Sequence, residues 1–248
     1  MRTDKTRTVE IKSMLVNNNW AEKNYKFFAE LEDSLPDLIN IDMAGGESFL
    51  VKQFDKVVQL AASKGYSKQI RLHYNTNGSI FPNNQILQWS NFREIDLALS
   101  IDNIGQRFEL ERGGSWSTVE SNIEQFLSLN LDNLKIYIMP TVNIQNVYYI
   151  PELVEWAKLL GLPVVFNYLN RPFAFSIDYA TEDFKQLLIE KYKNYTHPEL
   201  ISISNRIQSC CGSDGSEFIK ETKRLDLIRR QSFQETHPEV AKAMGYSV

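Results

Sequence analysis

Leu38-Ile-Asn-Ile-Asp-Met-Ala-Gly-Gly-Glu-Ser-Phe-Leu50 is the stretch that decides how the chain is read. Leu38 to Met43 is a short apolar-rich run with the length and composition of a buried strand. Gly45 and Gly46 follow it, and glycine adopts backbone conformations closed to other residues and lets a ligand approach the main chain. Ser48 stands where a helix wants its N-cap, ahead of Leu50, Phe54, Val57, Val58 and Ala61 at helical spacing. The reading is strand, glycine turn, helix. Glu47 is then held at the carboxyl end of a strand, where α/β folds place their ligands. Taken alone, Gly-Gly-Glu is no more than a tight turn with a solvated carboxylate, so its meaning depends on the rest of the chain.

Upstream, residues 1–18 are polar, and Trp20, Tyr25, Phe27, Phe28 and Leu31 suit an amphipathic helix ended by Ser34-Leu-Pro36. Downstream, the helix from Ser48 runs to about Ser63 and closes at Lys64-Gly65. A second strand, Ile70 to Tyr74, enters the polar turn Asn75-Thr-Asn-Gly78, and Asn84 to Trp89 suits a short helix. A third strand, Ile95 to Ile101, ends at Ser100-Ile-Asp102. A loop with Gly105, Gly113 and Gly114 then leads to a helix from Ser115 to Leu129. Leu134 to Met139 is a fourth strand running into Pro140-Thr-Val-Asn143. Pro151 opens a helix that Gly161 stops, and Val164 to Tyr168 is a fifth strand before Asn170-Arg-Pro172.

Strand, polar turn and helix thus recur at roughly the 30-residue period of a βαβ unit. The strands show little alternation, as when both faces of a parallel sheet are covered. The fold class is α/β, either an open doubly wound sheet or all or part of a TIM-like (βα) barrel of parallel strands. Every polar cluster (Gly45 to Glu47, Asn75 to Asn77, Ser100 with Asp102, Thr141 with Asn143, Asn167) falls at a strand end, which predicts a ligand site along one rim. After about Phe175 the character changes to charged amphipathic helices, Asp183 to Tyr195 and Ser216 to Phe233. The expected division is a barrel over 1–175 and a mainly helical C-terminal extension over 176–248. Lys220, Lys223, Arg224, Arg229 and Arg230 alternate with Glu221 and Asp226, the pattern of a solvated face.

Composition narrows the function classes. A hydrophobic content of 43% over 248 residues provides a sizeable core. A net charge of -4 argues against nucleic acid or an anionic membrane as partner. No apolar run reaches the ~20 residues of a bilayer span, and no apolar segment follows the polar start, so a cytoplasmic protein is expected. Cys210 and Cys211 are adjacent, which suits neither a disulfide framework nor the usual metal-ligand spacings. His73 lies inside a strand, and His197 and His237 each precede a proline in turn-like contexts, so no histidine makes a catalytic case.

Four strand-end motifs in order carry a resemblance: DMAGGESFL at Asp42 to Leu50, NTNG at Asn75 to Gly78, LSIDNIGQRFELERGGSW at Leu99 to Trp116 and PTVNIQNV at Pro140 to Val147. Together with the ending RLDLIRRQSFQETHPE at Arg224 to Glu239, they resemble the radical S-adenosylmethionine (SAM) enzymes. The nearest group has a barrel followed by a twitch, or shortened SPASM-like, segment. The resemblance implies a partial barrel that binds S-adenosylmethionine at its carboxyl rim. Gly45, Gly46 and Glu47 would receive the methionine ammonium. Ser100, and Arg112 twelve residues on, would serve the ribose and carboxylate side. Asn75 and Asp102 are further candidates, and Leu169 is a candidate to cover the adenine.

Two departures from the family pattern stand out. Ser48 replaces the family's usual proline after Gly-Gly-Glu. There is also no CxxxCxxC to hold a 4Fe-4S cluster, so that cluster is expected only in an intact parent, and no metal ligand or catalytic side chain is assigned here. One reading is a truncated frame in which Met1 is an internal methionine of a longer radical SAM enzyme acting on a peptide or small-molecule substrate. Another is a cluster-free descendant that binds S-adenosylmethionine or a nucleotide, or scaffolds a partner. A third is a structural fragment whose exposed barrel edge drives it to dimerise.

Overall fold

A computed structural model describes residues 25–247, so the expectation for Trp20 lies outside the described residues. In chain order the elements are α1 (Tyr25–Ser34), β1 (Asn40–Met43), α2 (Lys52–Ser63), β2 (Arg71–Thr76), α3 (Asn83–Trp89), β3 (Glu94–Leu99), α4 (Gly105–Arg112), α5 (Trp116–Leu127) and β4 (Leu134–Ile138). They continue with β5 (Thr141–Val142), α6 (Ile150–Leu159), β6 (Asn167–Tyr168), α7 (Glu182–Tyr192), α8 (Pro198–Gln208), α9 (Ser216–Arg229), α10 (Phe233–Thr236) and α11 (Pro238–Ala243). The chain divides into two compact units. The first holds the described residues up to Asn75 with Phe81–Leu97 and Asn130–Lys135, and the second holds Thr76–Ile80, Ala98–Leu129 and the described residues from Ile136.

Four strands form a sheet of order β1-β2-β3-β4. β1 runs parallel to β2, with Ile41 beside Leu72 and Met43 beside Tyr74. Leu72, Tyr74 and Thr76 are buried while Arg71, His73 and Asn75 alternate with them half-buried, so β2 puts one face into the core. Val57, Val58 and Ala61 of α2 are buried on one face of the helix, the stripe that the spacing predicts. Phe49, Tyr74 and Trp89 form an aromatic cluster with centroids 5.1–6.3 Å apart. The turn after α3 is tied by Asn133, whose Nδ2 donates to the carbonyls of Trp89 at 2.9 Å and Phe92 at 2.8 Å.

In the second unit backbone hydrogen bonds link the strand ends. Ser100 donates its N–H to the Thr76 carbonyl, and Met139 donates to that of Leu99, each at 2.8 Å. β5 pairs with β6 in parallel, and a single parallel bridge joins Ile138 to Val164. The expected fifth strand is therefore reduced to this bridge and a two-residue pairing, and Thr141–Val142 is a strand where a turn was expected. The segment around Gly105, Gly113 and Gly114 is no loop. Gly105 (φ 58°) and Gly113 (φ 76°) bracket α4 instead of interrupting it. His197 and His237 stand at N-cap positions, and Pro198 and Pro238 open α8 and α11.

Beyond Phe175, Phe218 of α9 meets Phe175 and Phe233, and the Tyr192 hydroxyl of α7 donates to the Val147 carbonyl at 2.6 Å. Phe218 and Thr222 are the buried side of α9, whereas Ile228 is 63% exposed despite its helical spacing from Phe218. Among the described residues no helix is long and apolar enough to cross a membrane.

Candidate functional site

The Gly45–Glu47 turn belongs to the first unit. Gly45 (φ 111°) and Gly46 (φ 54°) both lie where L side chains are strained, and a Cβ at either would meet nothing within 4 Å. The constraint is therefore conformational rather than steric. Glu47 is only 8% exposed, and its Oε1 accepts the N–H of Phe49 at 3.3 Å, capping the single turn Ser48–Leu50. Ser48 does not cap α2, whose N-cap is Val51. Its buried hydroxyl instead lies 2.6 Å from the Met43 carbonyl and 2.7 Å from the Asn75 carbonyl. One proton shared between two carbonyls ties the carboxyl ends of β1 and β2 together.

Asn75 is half-buried, and its Nδ2 lies 3.1 Å from His73 Nε2. His73 Nδ1 in turn lies 3.0 Å from Asp96 Oδ2, which also accepts from Arg71. A carboxylate can only accept and the amide nitrogen can only donate. In this arrangement His73 donates through Nδ1 to Asp96 and faces the Asn75 amide through Nε2.

Ser100, Asp102, Arg112 and Leu169 belong to the second unit. Asp102 is 8% exposed and uses both carboxylate oxygens, Oδ1 for the N–H of Thr141 at 2.7 Å and Oδ2 for Arg112 Nε. Ser100 is half-buried, and Leu169, also half-buried, donates its N–H to the Val142 carbonyl at 3.0 Å. Asn143, expected at the rim, is spent on its own turn. Its Oδ1 accepts from Gln145 N–H and its Nδ2 donates to the Thr141 carbonyl.

Sequence reasoning missed a second rung beside Asp102–Arg112. Asn103 Nδ2 donates to Glu111 Oε1 at 2.9 Å, and His237 Nε2 lies 3.0 Å from the same oxygen. The signal for His237 was available, because His-Pro before an apolar run is a helix start. A separate cavity of about 860 Å³, lined by Lys223, Asp226, Gln231 and Tyr246 among others, contains none of the predicted site residues. Burial and the hydrogen bond to Asp226 push the Tyr246 phenol up to about 12.

A 4Fe-4S cluster of the kind the resemblance implies does not fit these residues. The sequence holds two cysteines, and among the described residues no group of three His, Cys, Asp or Glu could hold a metal. Both thiols are free. Cys211 is exposed, and Cys210 is buried with its Sγ donating to the Arg206 carbonyl at 3.5 Å. Burial, with Asp178 nearby, pushes the Cys210 thiol up.

No protein-family model and no curated protein matches the chain. Solved structures do. Native anSMEcpe with bound AdoMet superposes with a TM-score of 0.51 at 15% identity, over 71% of this chain and 51% of that one. The chain has the anSMEcpe fold. It is an α/β protein whose parallel strands make a partial (βα) barrel, with a mainly helical segment after it. Native anSMEcpe with bound AdoMet and Cp18Cys peptide aligns at a TM-score of 0.49 and 17% identity, over 66% of this chain and 49% of that one. The chain therefore spans about half the length of anSMEcpe.

Proposed function

We propose that this chain binds S-adenosylmethionine, as the radical SAM resemblance implies. The observation that carries the reading is the Gly45–Glu47 turn. Two glycines held at positive φ leave the main chain open, beside a carboxylate withdrawn from water. Backbone carbonyls and a shielded carboxylate suit an ammonium group, where a charge-assisted bond is strong. Native anSMEcpe, whose fold the chain shares, has AdoMet bound.

Each set of residues is assigned on its own geometry. Gly45, Gly46 and Glu47 take the methionine ammonium, with Asn75 at the end of the neighbouring strand. Ser100, Asp102 and Arg112 take the ribose and carboxylate side, where an arginine fork suits a carboxylate, and Leu169 takes the adenine. When bound with a reducing cluster, S-adenosylmethionine supplies radical chemistry in the resembling family. The residues of this chain do not supply that cluster, so what they do is bind and orient. A peptide or small molecule as substrate, a twitch-like role for 176–248, and self-association through a barrel edge complete the proposal.

Titration calorimetry of the full chain with S-adenosylmethionine tests it. Wild type should release heat with single-site saturation, and Glu47→Gln should weaken binding about tenfold, the scale of one hydrogen bond to a charged group. Absence of heat from wild type, or unchanged affinity in Glu47→Gln, overturns it.

A further inference from the structure

His237 is wholly buried at the N-cap of α11. Its ring stacks on Phe233 with centroids 4.6 Å apart and 9° between planes, and Tyr149 meets it edge-on at 5.4 Å. An apolar ring would fill this place without desolvating two nitrogens. What the imidazole adds is hydrogen bonding. Nδ1 lies 2.7 Å from Thr236 Oγ1, and Nε2 lies 3.0 Å from Glu111 Oε1. A carboxylate only accepts, so Nε2 carries a proton and donates it.

Glu111 in turn is only partly satisfied. Its side chain is 4% exposed, and its Oε2 is buried without a hydrogen-bond partner among the described residues. A half-satisfied buried carboxylate is costly, and such an exception calls for an explanation beyond packing. Its position in the chain supplies one. Asp102 and Asn103 are neighbours in the loop after β3, and Glu111 and Arg112 are neighbours in the last turn of α4. Asp102–Arg112 and Asn103–Glu111 are therefore two adjacent rungs joining the same loop to the same turn.

We infer that His237 is a positioning residue, which through Glu111 fixes the last turn of α4 and so the orientation of the Arg112 guanidinium on Asp102. The role in ligand binding rests on the assignment of Arg112 to S-adenosylmethionine. The effect on Arg112 itself does not.

The test uses the full chain with two readouts, the ligand-free Arg112 Nε–Hε signal in nuclear magnetic resonance spectra and calorimetry with S-adenosylmethionine. His237→Ala should move or broaden the Arg112 signal and weaken binding about tenfold, the scale of one hydrogen bond to a charged group. His237→Phe, which keeps the stack and drops the donor, should do the same if the alanine variant does not fold. His237→Gln, whose amide can donate to Glu111, should restore the signal and bring affinity to within about threefold of wild type. In an Arg112→Ala background His237→Ala should cost no further affinity, the non-additivity expected of residues acting through one group. Val240→Ala, a destabilising change in the same helix, should leave the Arg112 signal where it is. An unmoved Arg112 signal in folded His237→Ala and His237→Phe, or an equal affinity loss in the Arg112→Ala background, overturns the inference. If wild type gives no heat, the S-adenosylmethionine reading and the ligand-binding role fall together, and the Arg112 signal alone decides whether His237 positions that side chain.

Discussion

Two histidine–carboxylate pairs, one in each unit, look alike on paper and are differently supported. In the first unit His73 and Arg71 share one oxygen of Asp96, and the His73 side chain is 18% exposed. In the second unit His237 and Glu111 are both sealed from water, and the other donor to the Glu111 carboxylate is the neutral amide of Asn103. Asp96 has a permanent cation to balance it, so its histidine is a spare donor that also holds Asn75. Glu111 has no such cation among its hydrogen-bond partners, so its histidine is half of its support. Burial alone does not rank the two pairs; the neighbouring guanidinium does.

The largest expected effect follows from that ranking. His237→Ala should lower unfolding free energy by about 3 kcal/mol, because it leaves a buried carboxylate on one neutral donor. Denaturant titration measures it, and a loss below 1 kcal/mol would erase the contrast. Adding Glu111→Leu should recover part of that loss, because the orphaned charge goes with it.

The contrast is sharpened by converting the first pair into the second. His73→Ala alone should cost about 1 kcal/mol, one ordinary hydrogen bond. In an Arg71→Met background the same change should cost about 2 kcal/mol, since Asp96 then loses its last strong donor. Equal costs in both backgrounds would show that Arg71 does not shield the pair.

The smallest effect lies in the alkaline range and concerns a third carboxylate, Asp226. Its Oδ2 accepts from the Tyr246 hydroxyl at 2.7 Å, which with burial holds the phenol near 12 when folded. A raised folded value means the neutral form is favoured by folding. Its stabilisation is complete below pH 10 and fades as pH climbs toward 12. Unfolding curves at pH 9 and 11.5 should therefore converge more closely in Tyr246→Phe than in wild type.

How much of this was legible in the sequence divides along the same line between backbone and side chain. The Leu38–Leu50 stretch predicts β1, the turn and α2 because apolar period and glycine are local signals, and β2, β3, β4 and α6 follow in the same way. The helix α4 was hidden because its flanking glycines read as a loop, although two of them serve as its boundaries. Ser48 was misread because a serine before an apolar stripe signals a cap. Which carbonyls its hydroxyl reaches depends on β2, 27 residues away in sequence. The Glu111–His237 pair spans 126 positions, and no spacing rule reaches that far.

The two cysteines have a practical side. At neutral pH a maleimide dye should react with the exposed Cys211 and largely spare Cys210, whose thiol is shielded and harder to ionise. The unaltered polypeptide thus arrives with a ready address for a fluorophore or spin label, five positions ahead of α9. Motions of that helix can be followed without engineering a single codon.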